Sequence, residues 1–198
     1  FGEINRSAAE EVYPGGKGLN VSVVLSRLGI ENLATGFIGG YVGEVILHSA
    51  QNLGIRCDFV PVEGESRINL KLHSRQETAF NGAGPQITGE DMERLLAKLS
   101  RIGPDDYLVL SGNVQEQFSN CYALILDRLA STGCRVVVDA AGDTLWNAMS
   151  YHPYLVKPNL EELGELFDFP EPSYDEAGSM AAHLLREGAQ NVLVSMGS

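Results

Sequence analysis

The chain has 198 residues, of which 44% are hydrophobic and 20% are charged, a composition typical of a single globular domain and not of a disordered segment. Its 14 Lys and Arg residues against 26 Asp and Glu residues give a net charge of −12. This balance argues against a surface for nucleic acid or for an anionic membrane, both of which need clustered positive charge. No apolar run approaches the roughly 18 residues of a membrane span, which excludes a transmembrane protein.

The cysteines and the two ends of the chain bear on the cellular location and on whether the sequence is a fragment. Cys57, Cys121 and Cys134 are odd in number, far apart and without a C-x-x-C pair, so we expect neither a disulfide framework nor a cysteine zinc site, and we predict a reducing, cytoplasmic location. The chain begins at Phe1 with no initiator Met and no signal-peptide pattern, and it closes just after an apolar run at 192–195. These ends predict an internal fragment of a longer chain, truncated at both sides.

Helical spacing and short apolar runs alternate along the chain. The predicted helices span residues 18–28, 43–53, 89–100, 118–130, 160–167 and 175–187, and the predicted strands span 34–38, 107–111, 135–139, 154–157 and 192–195. Strands such as 136–138 are apolar on both faces, which indicates a parallel sheet with helices on each side. The predicted fold class is therefore a doubly wound, mostly parallel α/β domain over residues 1–198.

One segment breaks this alternation. Residues 55–81 carry short runs with alternating polar residues and a turn at Glu63-Gly64, which predicts antiparallel β structure with one exposed face. A segment at about 4–12 is predicted to add a strand to this small β appendage. The α/β core then occupies the remainder.

A glycine-rich loop leads directly into the first predicted helix. Gly15 and Gly16 allow the backbone to pass close to a ligand, and the N–H groups of the helix N-terminus, with the charge of Lys17, suit a phosphate. Asn20, in the first turn, has the amide to bind sugar hydroxyls. The loop matches neither a Walker A loop nor a G-x-G-x-x-G fingerprint, and a simple turn that opens a helix stays a valid alternative.

A second set of polar residues alternates along one strand. Arg67, Asn69 and Lys71 share a face at a period of two, and two cations with an amide suit an anionic, hydroxylated ligand. The alternative is the solvated outer face of an antiparallel strand.

Three polar clusters follow apolar strands, at the sheet edge where ligands of open α/β folds bind. They are 111–113, 139–143 and 157–162. In the last cluster Asn159 and Glu162 have the spacing of a helix capping box. The functional alternative directs Lys157 to nucleotide phosphates and Glu162 to Mg²⁺ through water.

Five motifs together resemble the ribokinase-like carbohydrate kinases, the PfkB family, over essentially the whole chain. Residues 15–20 resemble G-G-x-G-x-N, 66–71 resemble T-R-x-N, 81–85 resemble N-G-x-G-P, 157–162 resemble K-P-N-x-x-E, and 194–197 resemble V-S-L-G. The first two are most similar to the branch of 1-phosphofructokinases and tagatose-6-phosphate kinases. The resemblance implies ATP-dependent phosphorylation of fructose 1-phosphate or tagatose 6-phosphate to the 1,6-bisphosphate.

The resemblance also implies a role for individual residues. The sugar and its phosphate would be held by Gly15, Gly16, Lys17, Asn20, Arg67, Asn69, Lys71, Ser111 and Arg6. ATP would face Lys157, Asn159, Ser195 and Gly197, and Glu162 would hold Mg²⁺. The β appendage would be a lid that excludes water and also forms a homodimer contact.

Two departures from the family pattern qualify these expectations. The family's S-G-S-L-P reads Ser-Gly-Asn-Val-Gln at 111–115, and its G-A-G-D signature is absent. The catalytic Asp is therefore expected beyond Ser198, so the parent protein is predicted to be a kinase and these 198 residues alone to be inactive. A non-catalytic sugar-phosphate sensor and a nucleoside or ribose kinase are the alternatives, and Lys17, Arg67 and Lys71 speak against the second because an uncharged sugar needs no such cations.

Overall fold

The computed structural model describes residues 7–73, 77–112 and 120–197. Within these residues the helices are α1 (Lys17–Arg27), α2 (Gly40–Asn52), α3 (Gly89–Leu99), α4 (Cys121–Leu129), α5 (Gly142–Ala148), α6 (Leu160–Leu166) and α7 (Tyr174–Glu187). The strands are β1 (Leu33–Ala34), β2 (Phe37–Ile38), β3 (Arg56–Cys57), β4 (Val60–Pro61), β5 (Asn69–His73), β6 (Glu77–Asn81), β7 (Tyr107–Ser111), β8 (Arg135–Asp139) and β9 (Leu155–Val156). A 3₁₀ turn, Met149–Tyr151, follows α5.

Parallel strands form the centre of the fold. β8 pairs with β7 on one side and with β9 on the other, and the register places Ser111 opposite Asp139. The chain returns beside β9, where Val192 pairs with Val156 and Ser195 pairs with Asn159. These parallel strands, connected by helices, confirm the predicted α/β fold class.

The predicted β appendage is smaller than expected. β3 and β4 pair in parallel with β1 and β2, so the prediction of antiparallel structure across 55–81 was wrong for 56–61 and holds only for the hairpin β5–β6. Two-residue strands are too short to show the alternation that separates the two kinds of pairing. The expected strand at 4–12 is also absent at 7–12, where the chain has no regular secondary structure, and residues 4–6 lie outside the described residues. The division into core and lid stays a prediction.

Two apolar clusters hold the helices to the strands. In the larger one, Val138 of β8 and Val156 of β9 pack with Leu145, Leu163 and Leu184 of three helices, all fully buried. Leu145 belongs to α5, a seven-residue helix that the sequence pattern did not predict. The smaller cluster joins α1 and α2 through Leu19, Ala34, Ala50 and Ile55. None of the helices in the described part of the chain combines the length and apolarity that crossing a bilayer requires.

A capping box between Thr88 and Asp91 fixes the start of α3. The Thr88 hydroxyl accepts a hydrogen bond from the Asp91 N–H at 3.2 Å, while the Asp91 carboxylate accepts from the Thr88 N–H at 2.8 Å. Arg94 pairs with the same carboxylate. The hydrogen bond from the Thr88 side chain, followed by the one from Arg94, lowers the pKa of Asp91 from 3.8 to about 2.

We expect Asp91→Asn to lower the free energy of unfolding by about 1 kcal/mol at neutral pH, because the cap loses its charge. The pKa of Asp91 is lower in the folded state, so this stabilisation is present above 3.8 and is lost as the pH falls towards 2. Urea unfolding of both proteins between pH 2.5 and 7 measures the difference. Glu90→Gln in the same turn is the control, and a difference that does not shrink at low pH would contradict the assignment.

Candidate functional site

The glycine-rich loop brings the start of α1 to the carboxyl end of β7. Gly16 precedes the helix with φ of 120°, a conformation that favours glycine. A side chain at Gly18 would lie 3.7 Å from the carbonyl oxygen of Ser111, so the helix passes close to the strand end. The N-terminus of α1 and the ends of the parallel strands therefore share one region.

Asp139, the last residue of β8, lies at the centre of this region. It is only 6% exposed. Its carboxylate accepts a hydrogen bond from the Ser111 hydroxyl at 2.9 Å and pairs with the ammonium groups of Lys157 at 3.1 Å and Lys17 at 3.3 Å. Asp139 belongs to the polar cluster 139–143 that was predicted at the ligand-binding edge of the sheet, but it was not among the predicted site residues, although a single carboxylate that ends an apolar strand was an available signal.

The surroundings of Asp139 keep it charged. Burial raises the pKa of this carboxyl, but hydrogen bonds from Lys157 and Ser111 and the charges of Lys157 and Lys17 act against it, and the net result is a lowered pKa. Asp139 is therefore ionised at neutral pH. It gives the site a fixed negative charge between two lysines.

Glu162 closes the other side of the site. Asn159 and Glu162 form the predicted capping box of α6: the Glu162 N–H donates to Asn159 Oδ1 at 2.6 Å and the Asn159 N–H donates to Glu162 Oε2 at 2.9 Å. The second carboxylate oxygen, Oε1, accepts from Lys17 Nζ at 2.9 Å. One carboxylate thus both caps a helix and faces the site, so the structural and the functional interpretations of this motif are compatible.

Lys17 joins the two carboxylates. Partial burial lowers the pKa of its ammonium, but the hydrogen bond and charge of Glu162 and the charge of Asp139 raise the pKa by more, so that the net shift is upward.

An open cavity of about 440 Å³ lies beside Lys17. Its lining consists of Lys17, Asn20, Asp139, Lys157 and the apolar residues Val21, Val24 and Leu25 of α1.

The remaining predicted residues divide into three groups. Ser195 is brought to the site by its pairing with Asn159, and Gly197 follows it with φ of 74°. Asn69 and Lys71 lie on one face of β5 in the separate hairpin, whereas Arg67 lies two residues before that strand. Arg6 and the departure at 113–115 lie outside the described residues.

The whole chain, residues 1–198, matches the model of the pfkB family carbohydrate kinases. The chain belongs to this family. It is 38% identical to a 1-phosphofructokinase from Bacillus subtilis over 98% of its own length and 65% of the relative's. A D-tagatose-1-phosphate kinase from Bacillus licheniformis is 37% identical over 98% of this chain and 64% of that protein.

The fold is shared with solved structures of the same family. The tetrameric inhibited form of phosphofructokinase-2 from Escherichia coli superposes with a TM-score of 0.85 at 25% identity, over all of this chain and 67% of that one. The sequence resemblance to the PfkB family is thereby confirmed. The chain spans about 65% of the length of the curated relatives that it matches.

We expect Asp139→Asn to destabilise the fold by about 2 kcal/mol, since it removes the counter-charge of Lys157 and leaves Lys17 with Glu162 as its remaining carboxylate partner. The figure lies below that of a fully buried pair because both lysines are partly exposed. Urea unfolding at pH 7 measures the change, with the exposed Asp127→Asn as the matched control. A loss no larger than the control's would show that Asp139 does not hold this region together.

Proposed function

We propose that the natural full-length protein is an ATP-dependent kinase of ketohexose phosphates. The observation that carries this proposal is the cluster of Lys17, Lys157 and Ser111 around the ionised Asp139, at the carboxyl ends of parallel strands and beside the N-terminus of α1. In a chain of net charge −12, a local concentration of cations suits anionic ligands. Phosphoryl transfer depends mainly on such positioning and charge stabilisation.

The names of the relatives narrow the proposed substrate. One is a 1-phosphofructokinase and another a D-tagatose-1-phosphate kinase, and both names refer to a phosphate at position 1 of a ketohexose. We propose that the 6-hydroxyl attacks the γ-phosphorus of ATP, the bond from that phosphorus to the β–γ bridging oxygen breaks, and the hydroxyl proton is released. The products are a ketohexose 1,6-bisphosphate and ADP.

The proposed sugar contacts come from two parts of the chain. Gly15, Gly16, Lys17 and Asn20 at the start of α1, with Ser111, would hold the sugar. Arg67, Asn69 and Lys71 would hold its phosphate from the hairpin. The shared face of Asn69 and Lys71 on β5 supports this second group.

The proposed nucleotide contacts are Lys157, Asn159, Ser195 and Gly197. The Leu160 N–H donates to the Ser195 carbonyl at 3.0 Å and the Ser195 N–H donates to the Pro158 carbonyl at 3.1 Å, which keeps the two motifs side by side. This pairing supports a common role at one end of the ligand.

We propose that Glu162 holds Mg²⁺ through water. Its carboxylate and that of Asp139 lie close enough together to contact one cation, the ammonium of Lys17, which shows that carboxylate oxygens suited to Mg²⁺ meet in this region. The described residues contain no group of three or more metal-ligating side chains, and Mg²⁺ commonly uses one or two carboxylates, water and substrate phosphates instead. Bound there, Mg²⁺ would neutralise charge on the ATP phosphates.

The proposed reaction is tested by ATP consumption of the natural full-length protein with fructose 1-phosphate, tagatose 1-phosphate, tagatose 6-phosphate and fructose 6-phosphate. We expect the two 1-phosphates to be preferred. Turnover with the 6-phosphates alone would overturn the proposed position of the phosphate. Binding of a sugar phosphate with no turnover of any of the four would overturn the proposed kinase activity in favour of a sugar-phosphate sensor.

The same assay tests the phosphate contact. Arg67→Ala is expected to raise the KM for the sugar phosphate by about 10- to 100-fold, the usual value of a charge-assisted hydrogen bond, with the KM for ATP unchanged. Arg101→Ala, at an exposed position after α3, is the control.

We also propose that the protein forms a homodimer through the apolar face of the hairpin. Leu70 lies opposite Phe80 in the register, and the face that they form with Ile68 and Leu72 is between 46% and 60% exposed at each residue. Four exposed apolar side chains on one face of a two-stranded sheet favour burial against another surface. Phosphofructokinase-2 from Escherichia coli, which shares the fold, is described as a tetramer in its inhibited form.

We expect Leu70→Asp to convert the dimer to a monomer, because a charge cannot be buried in an apolar contact without a partner. Sedimentation velocity of the full-length protein measures the assembly. Leu28→Asp, at a similarly exposed leucine near the end of α1, should leave it unchanged. A dimer that survives Leu70→Asp would move the interface elsewhere.

A further inference from the structure

The segment just before the hairpin is fixed to the start of α2. Ser66 is buried, its hydroxyl accepts a hydrogen bond from the Gly39 N–H at 3.0 Å, and its own N–H donates to the Gly39 carbonyl at 2.9 Å. Both the backbone and the side chain of Ser66 are therefore held by the residue that precedes α2.

Glu65 occupies the N-terminus of α2. Its two carboxylate oxygens accept from the N–H groups of Tyr41 at 3.2 Å and Val42 at 3.0 Å. These are donors that the helix itself leaves unsatisfied, and the helix dipole favours a negative charge there. This helix end is filled by the protein's own carboxylate and is not open to the phosphate of a ligand.

Three glycines of α2 and its cap provide the room for this contact. A side chain at Gly39 would overlap the carbonyl oxygens of Val62 and Gly64, and one at Gly40, where φ is 62°, would overlap the Glu65 carboxylate. A side chain at Gly43 would lie 3.2 Å from the Ser66 hydroxyl. Glu65 and Ser66 thus pack against the G-G-x-x-G pattern at 39–43. We call this contact between residues 65–66 and residues 39–43 the α2 anchor.

We propose that Glu65 and Ser66 are positioning residues for Arg67. This role rests on the proposed function of Arg67 as a phosphate ligand. Arg67 directly follows the α2 anchor, and on its other side the carbonyl of Ile68 accepts from the Gly82 N–H at 2.9 Å. The backbone of Arg67 is therefore held at both ends while its side chain stays exposed. Fixing the base of a long side chain reduces the ordering that binding must otherwise supply.

The kinetics of the natural full-length protein test this role. Glu65→Ala is expected to raise the KM for fructose 1-phosphate by about tenfold, while kcat and the KM for ATP change by less than about twofold. Glu65→Gln, which keeps an acceptor, should have a smaller effect, and Ser66→Thr, which keeps the hydroxyl, should retain the KM of the natural protein. Glu63→Ala is the matched control, because Glu63 is exposed and makes no hydrogen bond or ion pair with the described residues.

A double variant separates positioning from general stability. If Glu65 acts through Arg67, the KM of Glu65→Ala/Arg67→Ala equals that of Arg67→Ala alone. Additive effects, an equal rise in the KM for ATP, or an unchanged KM in Glu65→Ala would each overturn the inference. If Glu65→Ala does not fold, Glu65→Gln supports the same cycle.

The outcome for Arg67→Ala distinguishes the two proposals. An unchanged KM in that variant would overturn both the phosphate contact and its positioning by the α2 anchor. A raised KM in Arg67→Ala together with an unchanged KM in Glu65→Ala and Glu65→Gln would overturn only the positioning role.

Discussion

The need to compensate one buried charge organises the centre of this fold. The carboxylate of Asp139 is removed from water at the end of β8, and a buried ion is costly unless hydrogen bonds and opposite charges surround it. Ser111 comes from the neighbouring strand, Lys157 follows β9, and Lys17 comes from the start of α1. Compensating a single carboxylate thus ties four separate elements together, and it fixes the geometry of the region that we propose as the active site.

The same compensation explains how an acidic protein holds two ammonium groups together beside one cavity. The chain carries 26 acidic and 14 basic residues, so positive charge is scarce over the surface as a whole. Asp139 and Glu162 both contact Lys17, and Asp139 also contacts Lys157. The carboxylates are therefore what hold the two ammonium groups beside the cavity, and they are also the groups that suit Mg²⁺.

The hairpin is organised by a different kind of constraint. Its two strands form a separate sheet with an exposed apolar face, whereas the residues immediately before it are fixed to α2 by backbone hydrogen bonds and by close contacts at three glycines. The residues before the hairpin are therefore fixed, while the apolar face of the hairpin is about half exposed at each residue. Both features are consistent with the roles that we propose for Arg67 and for the apolar face.

The sequence by itself determined the α/β class, six of the seven described helices, the capping box of α6 and the family, because periodicity, caps and short motifs are local signals. Strands 107–111 and 135–139 were predicted with the bounds that the structure has. The shorter elements were predicted less well. Helix α5 was not predicted because it is too short to show a period, and the strand predicted at 34–38 is divided into β1 and β2, which are defined by their pairing with β3 and β4.

Only the tertiary structure decided which polar residues meet. Lys17 and Glu162 are far apart in the sequence, and no local pattern indicates that their side chains lie 2.9 Å apart. The central place of Asp139 depends on strand register, which sets Ser111 opposite it, and on the chain returning through Lys157. Glu65 belongs to none of the sequence motifs, and the motif at 66–71 assigns no role to Ser66. Their contact with α2 exists because the parallel pairing of β2 and β4 brings the following segment back over the start of that helix.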